Sequence, residues 1–312
     1  MPSTTGWKSA LAAALACLGI SATATAGPLG VAGGYGEFVF GDLTRQNTSS
    51  GGAIAVGGDA TLANMRIGGS PSAGLVVGGD LSWKQGSLGS GAVSVGGGAS
   101  TKNVSLPGGT KVDAGALPID FKSARSYLEE FSRAQYGPGD AKASYDGYYW
   151  YKFGSADAKG LQVVEVDAKA LGGKGLQVAG QAGSTVIVNV LGDAASFSNM
   201  QVQLSGGIAA SNVLWNFVEA TSLKLSSVGW AGTILAPRAL VTFDNGQLTG
   251  AMIAAGLKGT GTVNVDSGGK SALFAGDARS FQAVASTPEP AGIAMLGTAL
   301  AVGLGIAAGR RK

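Results

Sequence analysis

The sequence predicts a mainly β protein, built as a glycine-rich parallel β-solenoid (a β-helix) with one amphipathic α-helix on its flank. Short runs of alternating hydrophobicity recur along the chain, 54 of its 312 residues are Gly, and short units repeat about every 20 residues. Such a period suits one coil with three faces. A β-sandwich also has short strands and Gly corners, and remains the alternative.

The repeat is clearest between residues 53 and 105. Val-Gly-Gly units begin at Val56, Val77 and Val95, which are 21 and 18 residues apart, and a forerunner, FVFGDLT, begins at Phe38. Each unit is a short strand, a Gly corner and a second short strand. Glycines provide positive φ and let successive turns of backbone stack closely. We therefore expect coils stacked about 4.8 Å apart.

One segment, at about residues 120–135, interrupts the β pattern and predicts a helix. Asp120 is a favourable N-cap residue. Apolar residues follow at helical spacing and form a single stripe, at Phe121, Ala124, Leu128 and Phe131. A lone amphipathic helix must bury this stripe. We expect it to pack on the flank of the solenoid.

The N-terminus predicts a secretory signal peptide over residues 1–26. Lys8 precedes an apolar stretch of small residues, and Ala24 and Ala26 form an A-x-A cleavage site before Gly27. These are the parts of an export signal, read by the Sec machinery.

The only cysteine, Cys17, lies inside the apolar stretch of this signal peptide. A lipoprotein is the alternative, but residues 14–16 make a poor lipobox. When the signal peptide is removed, the mature chain has no cysteine. Disulfides and thiol chemistry are then excluded.

The C-terminus predicts a transmembrane helix. Residues 291–309 form a run of 19 residues without charge. A helix of that length spans about 28 Å, close to the roughly 30 Å of a bilayer core. Arg310, Arg311 and Lys312 follow, and should stay on the cytoplasmic side, so that the body lies outside.

The whole segment 287–312 resembles the PEP-CTERM sorting signal of Gram-negative bacteria. Pro288, Glu289 and Pro290 precede the apolar helix and the basic end. The resemblance implies recognition and cleavage by an exosortase, in species that make exopolysaccharide. A permanent one-span anchor is the alternative.

The body between the two end segments is formally neutral. Four of the 22 basic residues and one of the 19 acidic residues lie in the end segments, which leaves 18 of each. The pI near 8.9 therefore comes from the targeting segments. Nothing in this balance favours capture of nucleic acid.

The residue types limit the chemistry. The chain has no histidine, which excludes His-based triads and His metal sites. The Gly-Gly repeats open no helix, so they form no dinucleotide or phosphate loop. We expect no cofactor and no catalytic residue. A glycoside hydrolase that uses paired carboxylates is the alternative, although Glu129 and Glu130 fit a solvated helix face.

Three aspartates, Asp42, Asp59 and Asp80, recur after the Gly corners. Stacked carboxylates could bind Ca²⁺. We favour the simpler interpretation, in which each Asp caps its own tight turn by bonding its own backbone, and we predict no metal site.

The stretch SYDGYYWYKF concentrates aromatic residues, at Tyr145, Tyr148, Tyr149, Trp150, Tyr151 and Phe153. Since strand residues alternate, we expect Tyr149 and Tyr151 to point inward and Tyr148 and Trp150 outward. We favour an aromatic strand that clamps the helix to the solenoid. The alternative is that the outward rings of Tyr148 and Trp150 stack on sugars.

The body resembles the choice-of-anchor A domain of bacterial surface proteins. The motifs are FVFGDLT, VGGDLSW, NVLWNF, GTILAP and NGQLTGAMIA, and the match covers about residues 35–277. The resemblance implies a surface domain joined to a variable anchor, with adhesion as its role. The last two motifs are also similar to the last coils of solenoidal ice-binding proteins, which we use for the fold. Ice binding itself is not favoured, because Thr61, Thr101 and Thr110 fall at irregular places.

Taken together, the sequence predicts an exported, non-enzymatic protein with a signal peptide (1–26), a β domain (27–286) and a sorting segment (287–312). It is held in the inner membrane and then moves to the cell surface or matrix after processing. We expect it to bind exopolysaccharide or another extracellular ligand. A passive structural protein of the envelope is a third possibility.

Overall fold

The computed structural model describes residues 27–107, 112–115, 117–139 and 141–281, without the side chains of 112–114. The predicted signal peptide and the predicted C-terminal sorting segment lie outside the described residues. The described residues up to Ala278 belong to one compact unit, and a second begins at Arg279. Within the described ranges, no helix combines the length and the apolar character needed to cross a membrane.

The chain forms a stack of coils with three strand-bearing faces, which we call A, B and C. Face A holds β1 (Glu37–Val39), β3 (Ile54–Val56), β5 (Leu75–Val77), β7 (Val93–Val95), β9 (Val112–Ala114), β10 (Ala141–Lys142), β13 (Leu161–Asp167), β15 (Thr185–Leu191), β17 (Val213–Phe217) and the first parts of β19 (Thr233–Asp244) and β21 (Met252–Gly259).

Face B continues along the second parts of β19 and β21. Long strands bend from face B into face C: β2 (Leu43–Ser50), β4 (Ala60–Ile67), β6 (Leu81–Leu88), β8 (Ala99–Ser105), β16 (Ala194–Ser205) and β18 (Ser222–Ala231). Face C is completed by β12 (Trp150–Gly154), β14 (Gly175–Ala179), β20 (Gln247–Thr249) and β22 (Thr262–Asn264).

The remaining elements are short, apart from α1 (Phe121–Gln135). They are 3-10 helices at Gly30–Gly34, Ala168–Leu171 and Ala210–Asn212, and strands β11 (Ser144–Tyr145), β23 (Asp266–Ser267) and β24 (Lys270–Ser271). Every strand ladder in the described ranges is parallel, except the short pairs β11–β12 and β23–β24. The predicted parallel solenoid is therefore confirmed, and the β-sandwich is excluded.

The order of the coils differs from the order of the chain. Along face A the strands pair in the order β9, β7, β5, β3, β1, β21, β19, β17, β15, β13 and β10. The first coil (37–50) therefore stacks on the last coil (252–264), with Phe38 beside Ile253. Strand β1, the first described strand, therefore lies in the middle of the stack, and α1 separates the two halves in sequence.

Seven of the bends from face B to face C each contain one non-glycine residue in the left-handed region, whereas the bend between β21 and β22 contains Gly259 with a φ of 127°. The seven non-glycine residues, with φ between 49° and 58°, are Asn47, Asn64, Gln85, Asn103, Asn199, Ser227 and Asn245. Asn tolerates this conformation better than most residues. In the first half, each lies eight residues after the last residue of its face A strand. The sequence predicted that each repeat unit consists of two short strands. Instead, the second strand of each unit is long and bends from face B into face C, so one unit covers all three faces.

The Gly corners between faces A and B are explained by close backbone approach. A Cβ at Gly57 would collide with the carbonyl oxygen of Phe40 on the coil below. The Gly57 amide donates a hydrogen bond to Val39 O at 2.8 Å. Only a residue without a side chain allows the coils to stack here at strand spacing.

Helix α1 covers face A, as predicted. It begins at Asp120, whose carboxylate accepts a hydrogen bond from Ser123 N at 3.0 Å. Ala124, Leu128 and Phe131 are buried. The rings of Phe38 and Phe121 lie 5.5 Å apart, so the helix contacts the first coil at its N-terminal end.

The C-terminal end of α1 is held by buried amides on face A. Asn216 Nδ2 donates to Ser132 O at 2.8 Å and to Asn189 Oδ1 at 2.7 Å. Asn189 Nδ2 donates to Gln135 O at 2.9 Å. The last carbonyls of a helix have no partner within the helix, and here the solenoid provides one.

A buried ion pair lies inside the solenoid where the first and last coils meet. Glu37 and Arg45 are fully buried, and Arg45 Nε lies 3.3 Å from Glu37 Oε2. Arg45 also donates hydrogen bonds to Gly259 O, at 3.1 Å, and to Gly261 O. Burial raises the pKa of Glu37, and this effect is opposed by the Arg45 guanidinium and by hydrogen bonds from Arg45 and Ser50.

Candidate functional site

The predicted aromatic cluster forms a hairpin at the outer end of the second half. Strands β11 and β12 pair antiparallel, with Tyr145 opposite Tyr151. Their rings stack with centroids 5.2 Å apart, and Tyr151 in turn stacks on Phe153 at 6.3 Å. Phe153 is fully buried and meets Trp215 edge to face at 5.4 Å. Phe153 lies in the core of the solenoid and the half-buried Tyr151 packs against that core, which corrects the prediction that the aromatic strand clamps the helix.

The turn of this hairpin is fixed by Asp146. Its Oδ1 accepts hydrogen bonds from the backbone N–H groups of Tyr148, Tyr149 and Trp150, at 2.9, 2.9 and 3.0 Å. These bonds, led by that from Tyr148, lower the pKa of the Asp146 carboxyl. Asp146 precedes Gly147, and an Asp-Gly pair is a common turn signal from which this turn could have been predicted.

Tyr148 lies at the tip of this turn with its side chain 89% exposed, the largest exposed fraction among the large hydrophobic residues described. Trp150 is only half-buried and meets Tyr149 edge to face at 5.1 Å. The rings of Tyr149 and Trp150 both lie against Gly175. The predicted alternation of inward and outward side chains applies from Trp150 onward, where β12 begins. The turn around Asp146 sets the positions of Tyr148 and Tyr149.

A cation lies beside the same aromatic cluster. Lys174 Nζ donates to the Tyr145 hydroxyl at 2.9 Å and lies 4.5 Å from the centroid of that ring. The Tyr145 hydroxyl donates to Tyr148 O at 2.8 Å. The cluster thus presents an exposed ring, a half-exposed ring, a phenol and an ammonium group, and the phenol and the ammonium group are hydrogen-bonded to each other.

Face B is a second candidate surface, because it presents outward side chains in register on neighbouring coils. Its middle row runs through Ser196, Lys224, Thr242, Lys258, Thr44, Thr61, Ser82 and Ser100. None of these eight side chains is buried. Thr61 therefore aligns with two other threonines, which the sequence did not reveal, but lysine and serine interrupt the series. Thr101 lies on a different row, and Thr110 lies outside the described residues.

The three predicted aspartates do stack, and their partners differ from the prediction. The Oδ1 atoms of Asp42, Asp59 and Asp80 accept hydrogen bonds from Asp59 N, Asp80 N and Gly98 N, at 3.0, 2.8 and 2.7 Å. Each Asp therefore caps the next coil rather than its own turn. Among the described residues, no three acidic or cysteine side chains are grouped so that they could hold a metal ion.

Most described carboxylates accept hydrogen bonds from backbone N–H groups, as Asp42, Asp59, Asp80 and Asp146 do. Further examples are Asp120, Glu165, Asp167, Glu219, Asp244 and Asp266. Glu129 instead forms surface ion pairs with Arg125 and Arg133, at 2.9 and 3.5 Å, as expected for a solvated helix face.

The residues of the predicted export and sorting signals lie almost entirely outside the part of the chain that the structure describes. Ala24 and Ala26 lie outside the described residues, whereas Gly27 is the first described residue and is exposed. The sorting residues Pro288, Glu289, Pro290, Arg310, Arg311 and Lys312 all lie outside the described part of the chain.

Solved structures similar to this chain come from ice-binding proteins, at low identity. One from the Antarctic ascomycete Antarctomyces psychrotrophicus is 14% identical, with a TM-score of 0.43, over 78% of this chain and 100% of that one. An ice-binding protein from an Antarctic biological consortium is 16% identical, with a TM-score of 0.40, over 76% and 88%. A domain of Shewanella frigidimarina ice-binding protein 1 is 15% identical, with a TM-score of 0.40, over 77% and 95%.

The sequence comparisons give one family. No curated protein matches the chain significantly. A family model described as "Putative Ice-binding-like adhesive domain" matches residues 28–265, which is most of the chain and nearly all of the solenoid described above. The chain therefore belongs to the ice-binding-like adhesive domain family.

Proposed function

We propose that this protein is an exported, non-catalytic adhesion module of the cell surface or extracellular matrix, which associates with exopolysaccharide through its aromatic hairpin. The observation that carries the proposal is the placement of Tyr148, 89% exposed at the tip of a turn that Asp146 holds with three hydrogen bonds. Membership of an adhesive family supports a binding role.

The physical argument concerns the cost and use of an exposed aromatic ring. A tyrosine in water gains nothing for folding, yet this ring is kept out of the core while its neighbours Tyr151 and Phe153 pack inward. An amphipathic ring offers its face to the C–H groups of a sugar and its hydroxyl to the sugar edge. Because the turn is fixed before binding, little conformational entropy is lost when a polymer docks.

The proposed route to the surface rests on the sequence of the two ends. The signal peptide directs the chain to the Sec machinery. Residues 291–309 then hold it in the inner membrane, with the body outside the cytoplasm. An exosortase recognises Pro288, Glu289 and Pro290 and releases or transfers the protein. An adhesive solenoid delivered in this way meets the exopolysaccharide that such species secrete.

The binding proposal is tested with Tyr148→Ala in the full chain. Purified exopolysaccharide of the producing species and an insoluble neutral glucan serve as probes in a co-sedimentation assay. We expect retention to weaken about three- to tenfold, from the loss of one aromatic contact. The unfolding midpoint should not move, since the ring is exposed.

The matched control is Tyr136→Ala, which removes another exposed tyrosine, 46% accessible, that follows α1. Equal retention of wild type, Tyr148→Ala and Tyr136→Ala would defeat the role of the hairpin. A wild-type protein retained by neither probe would defeat the proposal of exopolysaccharide binding.

The sorting proposal is tested by the C-terminal mass of the mature protein from whole cells and from the medium, with and without the exosortase. A chain that ends near Pro288–Pro290 only when the exosortase is present is the expected result. Persistence of Arg310, Arg311 and Lys312 in both strains would instead indicate a permanent anchor.

A further inference from the structure

The corner between faces A and B has an unequal length in three neighbouring coils. In the last coil only two residues, 255–256, separate Ala254 on face A from Leu257 on face B. The neighbouring corner in β19 has four residues, 237–240, and the register shifts there relative to β21. On the other side, the first coil has three, 40–42. A short corner between two longer ones leaves a depression.

The depression is an open groove of about 600 Å³ on face B, where the first and last coils meet. The backbone of Ala255 and Gly256 lines it. Leu240 lies on one side, with Cδ2 only 2.9 Å from the position that a Cβ on Gly256 would occupy. Asp42 lies on the other side, and Lys258 lies one row further along face B.

The groove combines an apolar surface with unpaired polar groups. Leu240 is 68% exposed and lies between Ser222 and Gly256 in the strand register. Asp42 uses Oδ1 to accept from Asp59 N, and its Oδ2 has no hydrogen-bond partner within the described ranges. The Lys258 ammonium has neither a hydrogen bond nor an ion pair in the described part of the chain, and the hydroxyls of Thr44 and Thr242 stand on either side of it.

We propose that this groove binds one pyranose unit of an extracellular polysaccharide, as a site separate from the aromatic hairpin. The Leu240 methyls contact the C–H face of the ring, Asp42 Oδ2 accepts hydrogen bonds from ring hydroxyls, and Lys258 donates to a hydroxyl or carboxylate oxygen. A groove of this volume lies within the range of small-molecule sites, in which a few polar groups orient a ligand on an apolar surface. The inference rests on the proposed association with polysaccharide.

Four variants of the full chain test the groove. Leu240→Ser removes the apolar surface, and Lys258→Gln removes the cation. Asp42→Asn removes the charge but keeps an oxygen for Asp59 N. Gly256→Ala places a methyl group in the groove against Leu240, a flexible side chain that can move aside.

The probes are a neutral cello-oligosaccharide and an oligogalacturonate, titrated calorimetrically. We expect saturable binding of at least one probe, weakened at least about tenfold by Lys258→Gln or Asp42→Asn, since each loses a charged hydrogen bond. If Lys258→Gln weakens binding of the oligogalacturonate alone, the groove recognises the carboxylate of an acidic sugar. If it weakens binding of both probes, Lys258 recognises a sugar hydroxyl. The matched control, Lys224→Gln, removes an exposed lysine from the same row, outside the groove.

The outcomes separate this inference from the proposed hairpin function. If Tyr148→Ala weakens binding and the four groove variants do not, the groove inference fails and the hairpin function stands. If the groove variants weaken binding and Tyr148→Ala does not, the groove stands and the hairpin role fails. Equal weakening by Lys224→Gln and Lys258→Gln, or no saturable binding of either probe, overturns the groove site.

Discussion

At the scale of single residues, the bends between faces B and C depend on side chains that tolerate positive φ. Asn64 has a φ of 49°, and its Nδ2 donates to Asn47 Oδ1 on the coil below at 3.1 Å. In the second half, Asn245 Nδ2 donates to Ser227 Oγ at 3.1 Å. The bend residues thus allow the backbone to turn and connect neighbouring coils along the corner.

We expect Asn64→Ala to lower the free energy of unfolding by about 1 kcal/mol, because alanine has no polar side chain to support the left-handed conformation. Asn64→Gly should cost less, since glycine adopts this φ freely. Urea denaturation measures both. Arg66→Ala, an exposed change on the same strand outside the bend, is the control. A loss no greater than that of Arg66→Ala would show that the bend does not depend on Asn64.

At the scale of elements, α1 is joined to face A by hydrogen bonds as well as by its apolar stripe. Ser132 Oγ donates to Asn216 Oδ1 at 2.6 Å, and Asn216 Nδ2 donates back to Ser132 O. All of these groups are buried. A slide of the helix along the face would break these bonds, so they fix its register on the solenoid.

Asn216→Leu should destabilise the protein by at least about 2 kcal/mol. It leaves Ser132 O and Asn189 Oδ1 buried without this donor, and each unsatisfied group costs about 1–3 kcal/mol. Chemical denaturation is the measurement. Gln203→Leu, which removes an exposed amide from face C, should cost little by comparison. Similar losses in the two variants would contradict the role of the buried network.

The N-terminus of α1 gives a prediction about pH. Hydrogen bonds from the side chain and backbone of Ser123 lower the pKa of Asp120 below 3.8. A group with a lowered folded pKa stabilises the fold above its unfolded pKa, and this contribution is lost as the pH falls through the folded pKa. Asp120→Asn keeps the cap without a titrating group.

We therefore expect wild type to lose stability relative to Asp120→Asn as the pH falls below 3.8, measured by thermal unfolding at a series of pH values. Ser123→Ala removes the largest cause of the lowered pKa, so the folded pKa should move back towards the unfolded value and the loss of stability at low pH should become smaller. Parallel pH profiles for wild type and Asp120→Asn would exclude a stabilising charged cap.

At the scale of the whole molecule, the two ends of the solenoid sequence meet in its middle. Arg45 lies in the first coil and bonds to carbonyls of residues more than 200 positions away in the last coil. Its charge is balanced by Glu37, also fully buried. The ion pair therefore links the two halves of the solenoid where the first coil pairs with the last coil.

Arg45→Met should destabilise the protein by about 3–5 kcal/mol, because it leaves Glu37 buried without its counter-charge. The double variant Glu37→Leu with Arg45→Met should recover part of this loss. Denaturation and hydrogen exchange of the β21 and β22 amides are the measurements. Arg125→Met, which removes an exposed ion pair on α1, is the control and should cost little. If the double variant lost as much free energy of unfolding as the sum of the two single variants, Glu37 and Arg45 would not be energetically coupled.

The sequence by itself determined the period, the Gly corners, the helix with its Asp120 cap and the position of the aromatic cluster. These follow from local rules, since spacing, turn chemistry and amphipathic stripes act between residues close in the chain. The bend residues could also have been predicted from the sequence, because Asn47, Asn64, Gln85 and Asn103 recur at a fixed distance from the strands of face A.

The tertiary structure alone decided which coils are neighbours, and with them the groove on face B. A repeat shows that coils stack but not that Phe38 lies beside Ile253. The buried pair of Glu37 and Arg45 and the groove beside Leu240 exist only where the first coil meets the last. The outward position of Tyr148 likewise depends on the turn around Asp146. The physical reason is that these features arise from contacts between coils and from three-dimensional turn geometry. The repeat period along the chain carries no information about either.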